Sequence, residues 1–257
     1  MISIKNPGQL QKMRAAGALL HQVLAQVRAM IGPGVTTAQI DRLAEQLIRK
    51  HGAVPSFLHY QGYPACLCTS VDDRVVHGIP DGTPLREGQI LSVDGGLILD
   101  GWHADSAFTV GIGQISQEAA RLIEVTERSF FEGMAQAREG NRIGDIGNAV
   151  QSFAEAHGCS AVRALCGHGI GRALHEDPEV PNYGEAGHGV RLRAGMTVAI
   201  EPMIAAGGWA VRTLPDGWTV VTEDGSLCAH YEHTVVVTQG APEILTLPGY
   251  EGKGATV

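Results

Sequence analysis

The chain has 257 residues, 44% of them hydrophobic, enough to bury a substantial core as one large domain or two small ones. Its formal charge of −8 is spread over interspersed acidic and basic residues, which argues against a nucleic-acid-binding surface. There is no apolar run of ~18 residues, no signal-peptide pattern and no Cys-x-x-Cys among the five cysteines, so we expect neither a membrane span nor secretion, but reduced thiols in a cytoplasmic protein.

Asn6-Pro7 predicts a helix start with proline at the first helical position, and Leu10, Met13, Leu20, Leu24, Val27 and Ile31 keep helical spacing up to Gly32-Pro33. A second helix is predicted from Thr37 as cap, through Ile40, Leu43, Leu47 and Ile48, to Gly52. Strands at 66–71, 74–79, 90–94 and 103–110 follow, with Asp100-Gly101 as a tight turn between the last two. A third helix is predicted over 116–139, capped by Ser116 and ending at Gly140; a fourth carries Ile146, Val150 and Phe153 and stops at Gly158. Strands at 197–201, 218–222 and 229–238 complete the series.

The two helix pairs resemble each other. A shift of 106 residues lays Gly34 on Gly140, Ile40 on Ile146, Leu47 on Phe153 and His51-Gly52 on His157-Gly158, as a duplicated unit would. The predicted class is therefore α+β, with helices on one face of a curved antiparallel sheet. A single domain over 1–257 is expected, with pseudo-symmetric halves of roughly 5–112 and 113–245.

Five residues stand out chemically. Asp94 ends the apolar run ILSVD, Asp105 lies eleven residues later across the predicted turn, and Glu201 ends TVAIEP. Glu232 sits within AHYEHTVVVT, and His168 within GHGIGRALHEDP. Four carboxylates cannot share an apolar interior unless cations neutralise them. Oxygen-rich donors with one imidazole suit hard or borderline divalent ions, and four carboxylates suggest two of them. Strand alternation puts His230 on the face of Glu232 and gives His233 a structural role. The segment around His168 and His175 is neither a dinucleotide fingerprint, because Leu174 replaces the last glycine, nor H-E-x-x-H, because Glu179 replaces the second histidine.

The ordered set VVHGIP, Asp94 with Asp105, GHGIGRALHEDP, AIEP and YEHTVVVT resembles type I methionine aminopeptidases over about residues 5 to 245. The resemblance implies the pseudo-two-fold pita-bread fold and removal of the initiator methionine from nascent polypeptides with a small second residue. It implies two divalent metal ions (Co, Mn, Fe, Zn or Ni) that activate water, bridged by Asp105 and Glu232, with Asp94 completing one site and His168 and Glu201 the other. Glu201 would shuttle the proton, His175 would contact the carbonyl oxygen, and His77 the next amide nitrogen. Phe57, Tyr60, Tyr63, Cys68, Leu174 and Trp218 would wall the methionine pocket. Gln61, Leu174, Phe57 and Gly96 depart from the residues common in the family. A monomer is expected, since no exposed apolar heptad suggests a partner, and any transient ribosome association should depend weakly on salt, because Arg212 stands against Asp216, Glu223 and Asp224. Met1 precedes Ile2, so the chain is predicted to keep its own methionine. The rival readings are an Xaa-Pro peptidase, which usually carries an additional N-terminal domain, and a non-catalytic relative that has lost its ligands.

Overall fold

The computed structural model describes residues 2–250, so Met1, on which the retention prediction bears, lies outside the described residues. Helix α1 (Pro7–Met30) begins as predicted: Asn6 caps it, its side chain accepting from Gln9 N–H while Gln9 answers at the Asn6 N–H. In α2 (Thr37–Lys50) the cap is Thr36 rather than Thr37. The Thr37 hydroxyl is instead engaged with both backbone groups of Asp81, which frees Thr36 to bond Gln39 N–H. Helix α3 (Gln117–Met134) is capped by Ser116 but stops short of the predicted 139, because the chain turns after Met134 and Arg138 bridges to Thr238. Gly140, with a left-handed φ of 97°, belongs to the turn before α4 (Ile143–Ala156). Helices α2 and α4 obey the same 106-residue shift at both ends, and each is followed by a histidine and a left-handed glycine, Gly52 and Gly158.

The main sheet has nine strands. We label seven: β1 (Leu67–Val71), β2 (Ile90–Leu99), β3 (Trp102–Gly111), β4 (Cys166–Gly169), β5 (Glu176–Pro181), β6 (Thr197–Ile200) and β7 (Glu232–Val236). They lie in the order β1-β2-β3-β7-β6-β4-β5 with antiparallel pairings, and the short strands Val54–Pro55 and Glu243–Ile244 add to β2 and β7. Strands β2 and β3 form a hairpin with two ten-residue arms turning at Asp100-Gly101, longer than the predicted arms. Two predicted strands shorten at identifiable places. The segment 74–79 ends at Val76 because His77 takes a left-handed φ of 59°. The segment 218–222 starts only at Val220, because Asp216 accepts from Trp218 and Thr219 N–H and forms a turn there. The predicted strand 229–238 is two strands, Cys228–His230 in a three-stranded sheet and β7 in the main one, broken at Tyr231.

Alternation along the strands separates core from site. Leu91, Val93, Leu97, Ala104 and Phe108 pack with α1 and α2, while Val198, Ile200, Val235 and Val237 pack with Phe130, Met134, Ile143 and Ile146 of the α3–α4 region. The residues between them face the opposite side, where the carboxylates lie. No helix among the described residues is long and apolar enough to cross a membrane.

Candidate metal centre

The strand register gathers the donors into two neighbouring rows on that face. Cys68 of β1 pairs with Asp94 of β2, Asp94 with Ala107 of β3, and Ala107 with Glu232 of β7. One step beyond the Ile200–His233 pair, Glu201 extends the row. Two residues along, Gly96 pairs with Asp105, while Thr234 pairs with Ala199 and Ala199 with His168. Thr234 joins the two segments of this row through its hydroxyl, which donates to Asp105 C=O and accepts from Asp105 N–H. Adjacent strands are ~4.8 Å apart, so carboxylates on neighbouring rows converge on one void.

His168 Nε2 lies 3.9 Å from Asp105 Oδ2 and 3.7 Å from Glu201 Oε1. Its Nδ1–H donates to the Gly169 carbonyl at 2.8 Å, which leaves the Nε2 lone pair facing the void. His230 Nε2 approaches from the other side, 3.7 Å from Glu232 Oε2 and 4.0 Å from Glu201 Oε2. Asp105, His168 and Glu232 form one cluster with metal-binding spacing, and Asp94, His230 and Glu232 another.

These groups fit divalent cations on two further grounds. Asp94 Oδ1, Asp105 Oδ1, Glu232 Oε1 and His230 Nε2 are buried without a hydrogen-bond partner, a state native interiors seldom tolerate. Burial also pushes Asp94, Glu201 and Glu232 well above the usual carboxylate range, with repulsion from Asp105 adding in each case. Desolvation brings Asp105 itself up to about 7 and takes His168 and His230 down to about 3. A dication reverses this balance by stabilising the carboxylates and by accepting neutral imidazole. The oxygen-rich set with histidine suits hard or borderline divalent ions.

The void continues into a cavity of about 220 Å³ lined by all the residues expected at the site: Phe57, Tyr60, Tyr63, Cys68, His77, Leu174, His175 and Trp218 beside the five acidic and imidazole donors. Val76, Leu165, Cys166 and Met203 line it too and were not anticipated; nothing but generic hydrophobicity marked them in the sequence. Tyr63 donates to the Leu67 and Gly78 carbonyls and meets the Trp218 ring edge-on at 5.1 Å between centroids, so the wall is braced rather than loose. Desolvation lowers the pKa of His77, and likewise that of His175 although part of its surface meets solvent.

Two of the unusual residues turn out to be neighbours. A Cβ on Gly96 would come within 3.0 Å of Ser56 Cβ and 3.1 Å of Phe57 Cε1, so the Phe57 ring stands where a larger residue 96 would project. The strand β4 is glycine-rich for a related reason: a Cβ on Gly167 would strike the Ala199 carbonyl of β6, so only glycine lets the His168 strand lie so close. That is why β4 was not predicted; β5 was missed because EDPEVP, with its two prolines and three acidic residues, has no strand pattern. His233 is structural as expected, its Nδ1 between the Ser106 and Thr246 hydroxyls and its Nε2 on the Tyr231 hydroxyl.

The family model described as Metallopeptidase family M24 matches residues 11–239. The chain belongs to metallopeptidase family M24. It is 52% identical over 247 residues to a protein of Clostridium perfringens named methionine aminopeptidase, covering 96% of this chain and 99% of the relative. The crystal structure of methionine aminopeptidase from Rickettsia prowazekii superposes with a TM-score of 0.95 at 43% identity, covering 96% of this chain and all of that one. A Xaa-Pro dipeptidase from Bacillus anthracis shares the fold with a TM-score of 0.76, but at 18% identity and with 61% of its length covered; that likeness speaks for the pita-bread fold alone.

Proposed function

We propose that the chain is a methionine aminopeptidase, a metal-dependent exopeptidase that removes the N-terminal methionine from polypeptides whose second residue is small. One observation carries the reading: a cluster of carboxylates and imidazole with unpaired buried oxygens shares one cavity with a wall of aromatic and aliphatic side chains, Phe57, Tyr60, Tyr63, Leu174 and Trp218. The high identity to a relative named methionine aminopeptidase supports it.

In this reading Asp94, Asp105, His168, Glu201 and Glu232 would hold two divalent cations, with Asp105 and Glu232 serving both, Asp94 one of them, and His168 with Glu201 the other. Cations held there supply Lewis acidity and bring the pKa of bound water near neutrality. The chain's own residues do the rest. Glu201, whose two oxygens face His168 and His230, accepts the proton of the attacking water and hands it to the leaving amine. His175 donates to the scissile carbonyl oxygen as charge grows on it. His77, turned inward by its left-handed backbone beside Trp218, contacts the amide nitrogen of the second residue. Tyr60, Tyr63, Cys68 and Trp218, with Phe57 and Leu174, surround the methionine side chain and exclude water from the reacting atoms. The free α-amino group sits at the Asp94 side, which restricts cleavage to chain ends.

The whole chain acts as one metallopeptidase domain with two pseudo-symmetric halves, as a cytoplasmic monomer on nascent polypeptides. Any ribosome contact through residues 205–227 is weakly salt-dependent, since Asp216 and Asp224 there are occupied in turns around a single Arg212. The test offers Met-Ala-Ser and Ala-Pro peptides with Mn(II), Co(II) or Fe(II), and with EDTA. Metal-dependent release of methionine from the first peptide alone is expected; cleavage of the Ala-Pro peptide instead, or of neither, refutes the proposal.

A further inference from the structure

Tyr60 does more in this structure than line a pocket. Its hydroxyl lies 2.7 Å from Nδ1 of His175, and the two rings stand 5.2 Å apart at 51°. The other side of the His175 ring meets His168 edge-on, with centroids 4.2 Å apart. The imidazole is thus held between a phenol and a ring that itself belongs to the metal centre. A neutral imidazole carries a single N–H, and whichever nitrogen lacks it can only accept.

The backbone around Tyr60 is built to hold that hydroxyl in place. Residues Tyr60–Gly62 form one 3₁₀ turn, and the non-glycine residues on either side of Tyr60 both take left-handed conformations, His59 at φ 68° and Gln61 at φ 49°. Such conformations are unfavourable for side-chain-bearing residues and persist where surrounding bonds over-determine them. Here those bonds are His59 N–H to Tyr63 C=O at 2.8 Å and Tyr63 N–H to Tyr60 C=O at 2.9 Å. An apolar wall needs no such turn, because many residues on a relaxed loop could supply it. A hydroxyl that must meet one ring nitrogen does need it.

We propose that Tyr60 is a positioning residue: its O–H donates to His175 Nδ1, which fixes the imidazole as the Nε2–H tautomer and aims that proton at the substrate carbonyl. The proposal rests on the role given to His175 above, and it deepens that role. Phenol is the better donor of the pair and imidazole nitrogen the better acceptor, so the bond runs from Tyr60 to His175. The reverse direction would present a bare Nε2 lone pair to the carbonyl oxygen and repel it.

The decisive measurement needs no turnover. Long-range ¹⁵N–¹H correlation spectra of histidine-labelled protein, metal-free and Zn(II)-loaded, report the tautomer of each ring; His175→Ala identifies the His175 signals by their loss. The Nε2–H pattern is expected in the unmutated protein, with the Nδ1 shift of an accepting nitrogen, and Tyr60→Phe should move that Nδ1 shift and mix the tautomers. An Nδ1–H pattern in the unmutated protein overturns the proposal, whether or not the variant folds.

Kinetics on Met-Ala-Ser supply the second arm. Tyr60→Phe keeps the ring, so kcat should fall about tenfold while KM stays within about twofold, the mark of an interaction made in the transition state. In a His175→Ala background the same substitution should cost nothing further. An undiminished loss in that background, or a raised KM with kcat intact, assigns Tyr60 to the pocket wall alone and overturns the proposal. Failure of the unmutated enzyme to cleave Met-Ala-Ser with any metal would sink the functional reading but leave the tautomer result standing.

Discussion

Stripping the metal should make this protein lose stability as the pH rises, the reverse of the usual behaviour of carboxylates. Asp105 is 3% exposed, and desolvation lifts its folded-state pKa from 3.8 to about 7. A raised folded pKa means that the folded state holds a proton that the unfolded chain has already released. The associated stability is therefore complete below pH 3.8 and is lost as the pH climbs through 7. Between pH 5.5 and 8 the loss from Asp105 alone is about 2 kcal/mol. For a chain of this size that corresponds to roughly 4–8 °C in Tm. Asp94, Glu201 and Glu232 shift in the same direction, so they reinforce the sign. Thermal unfolding followed by circular dichroism, in EDTA at the two pH values, measures the drop; saturating Mn(II) should abolish or invert it, because bound metal requires the carboxylates ionised. Asp105→Asn removes this group together with its repulsion of Asp94, Glu201 and Glu232, so its slope should be shallower. If the metal-free protein is as stable at pH 8 as at 5.5, or falls no more steeply than Asp105→Asn, the acidic cluster is not held in the manner described.

Glu201→Gln should lower kcat by ~10²–10⁴ while leaving the metal-free Tm unchanged or higher, since burial already favours the neutral form of Glu201 and Gln resembles that form without ever needing to ionise; near-normal turnover would exclude proton transfer by Glu201. Gly96→Ser should cost about 1–3 kcal/mol because the new Cβ meets Ser56 and Phe57, and adding Phe57→Ala should return part of it. Strict additivity of those two substitutions in chemical denaturation would show that they do not share the space. Mass spectrometry of protein made in cells should find Met1 retained before Ile2, because a large second residue does not fit a site selecting small ones; its removal would contradict the specificity.

Much of the site was legible because buried charge is rare enough to be informative residue by residue. A solvated Glu232 before HTVVV would be unusual, and the apolar run ILSVD weakens the surface reading of Asp94; both prove to face the cluster. The helix pairs were legible because capping and terminal glycines leave local marks that repeat at a fixed offset. What escaped was set by partners distant in sequence. Strand β4 is short and glycine-rich to suit the closeness of its neighbours rather than any strand propensity, and β5 (EDPEVP) carries two prolines and three acidic residues in place of an apolar alternation. The break at Tyr231 exists because His230 and Glu232 belong to different sheets, which no periodicity within 229–238 reveals. The hydroxyl contact between Tyr60 and His175 spans 115 residues and depends on two left-handed residues that nothing in FLHYQGYP announces.

The seam between the halves also governs the metal centre. Asp94 and Asp105 lie on one hairpin, whereas His168, Glu201 and Glu232 reach them only through the pairing of β3 with β7. That ladder registers just two residue pairs, Glu232 with Ala107 and His233 with Ser106. At the next position a side chain takes over, as the buried Thr234 hydroxyl bonds both Asp105 N–H at 3.0 Å and Asp105 C=O at 2.9 Å. Thr234→Val keeps the shape but removes both bonds, which leaves buried backbone groups unpaired at about 1–3 kcal/mol each. It also frees Asp105 to drift from the void its carboxylate must reach. Chelator competition with Mn(II) should therefore show affinity weakened by ~10–100-fold, although Thr234 offers no ligand atom to the cluster. A stability loss with unchanged affinity would mean that the hairpin alone fixes Asp105, and that the seam joins the halves without setting the geometry of the centre.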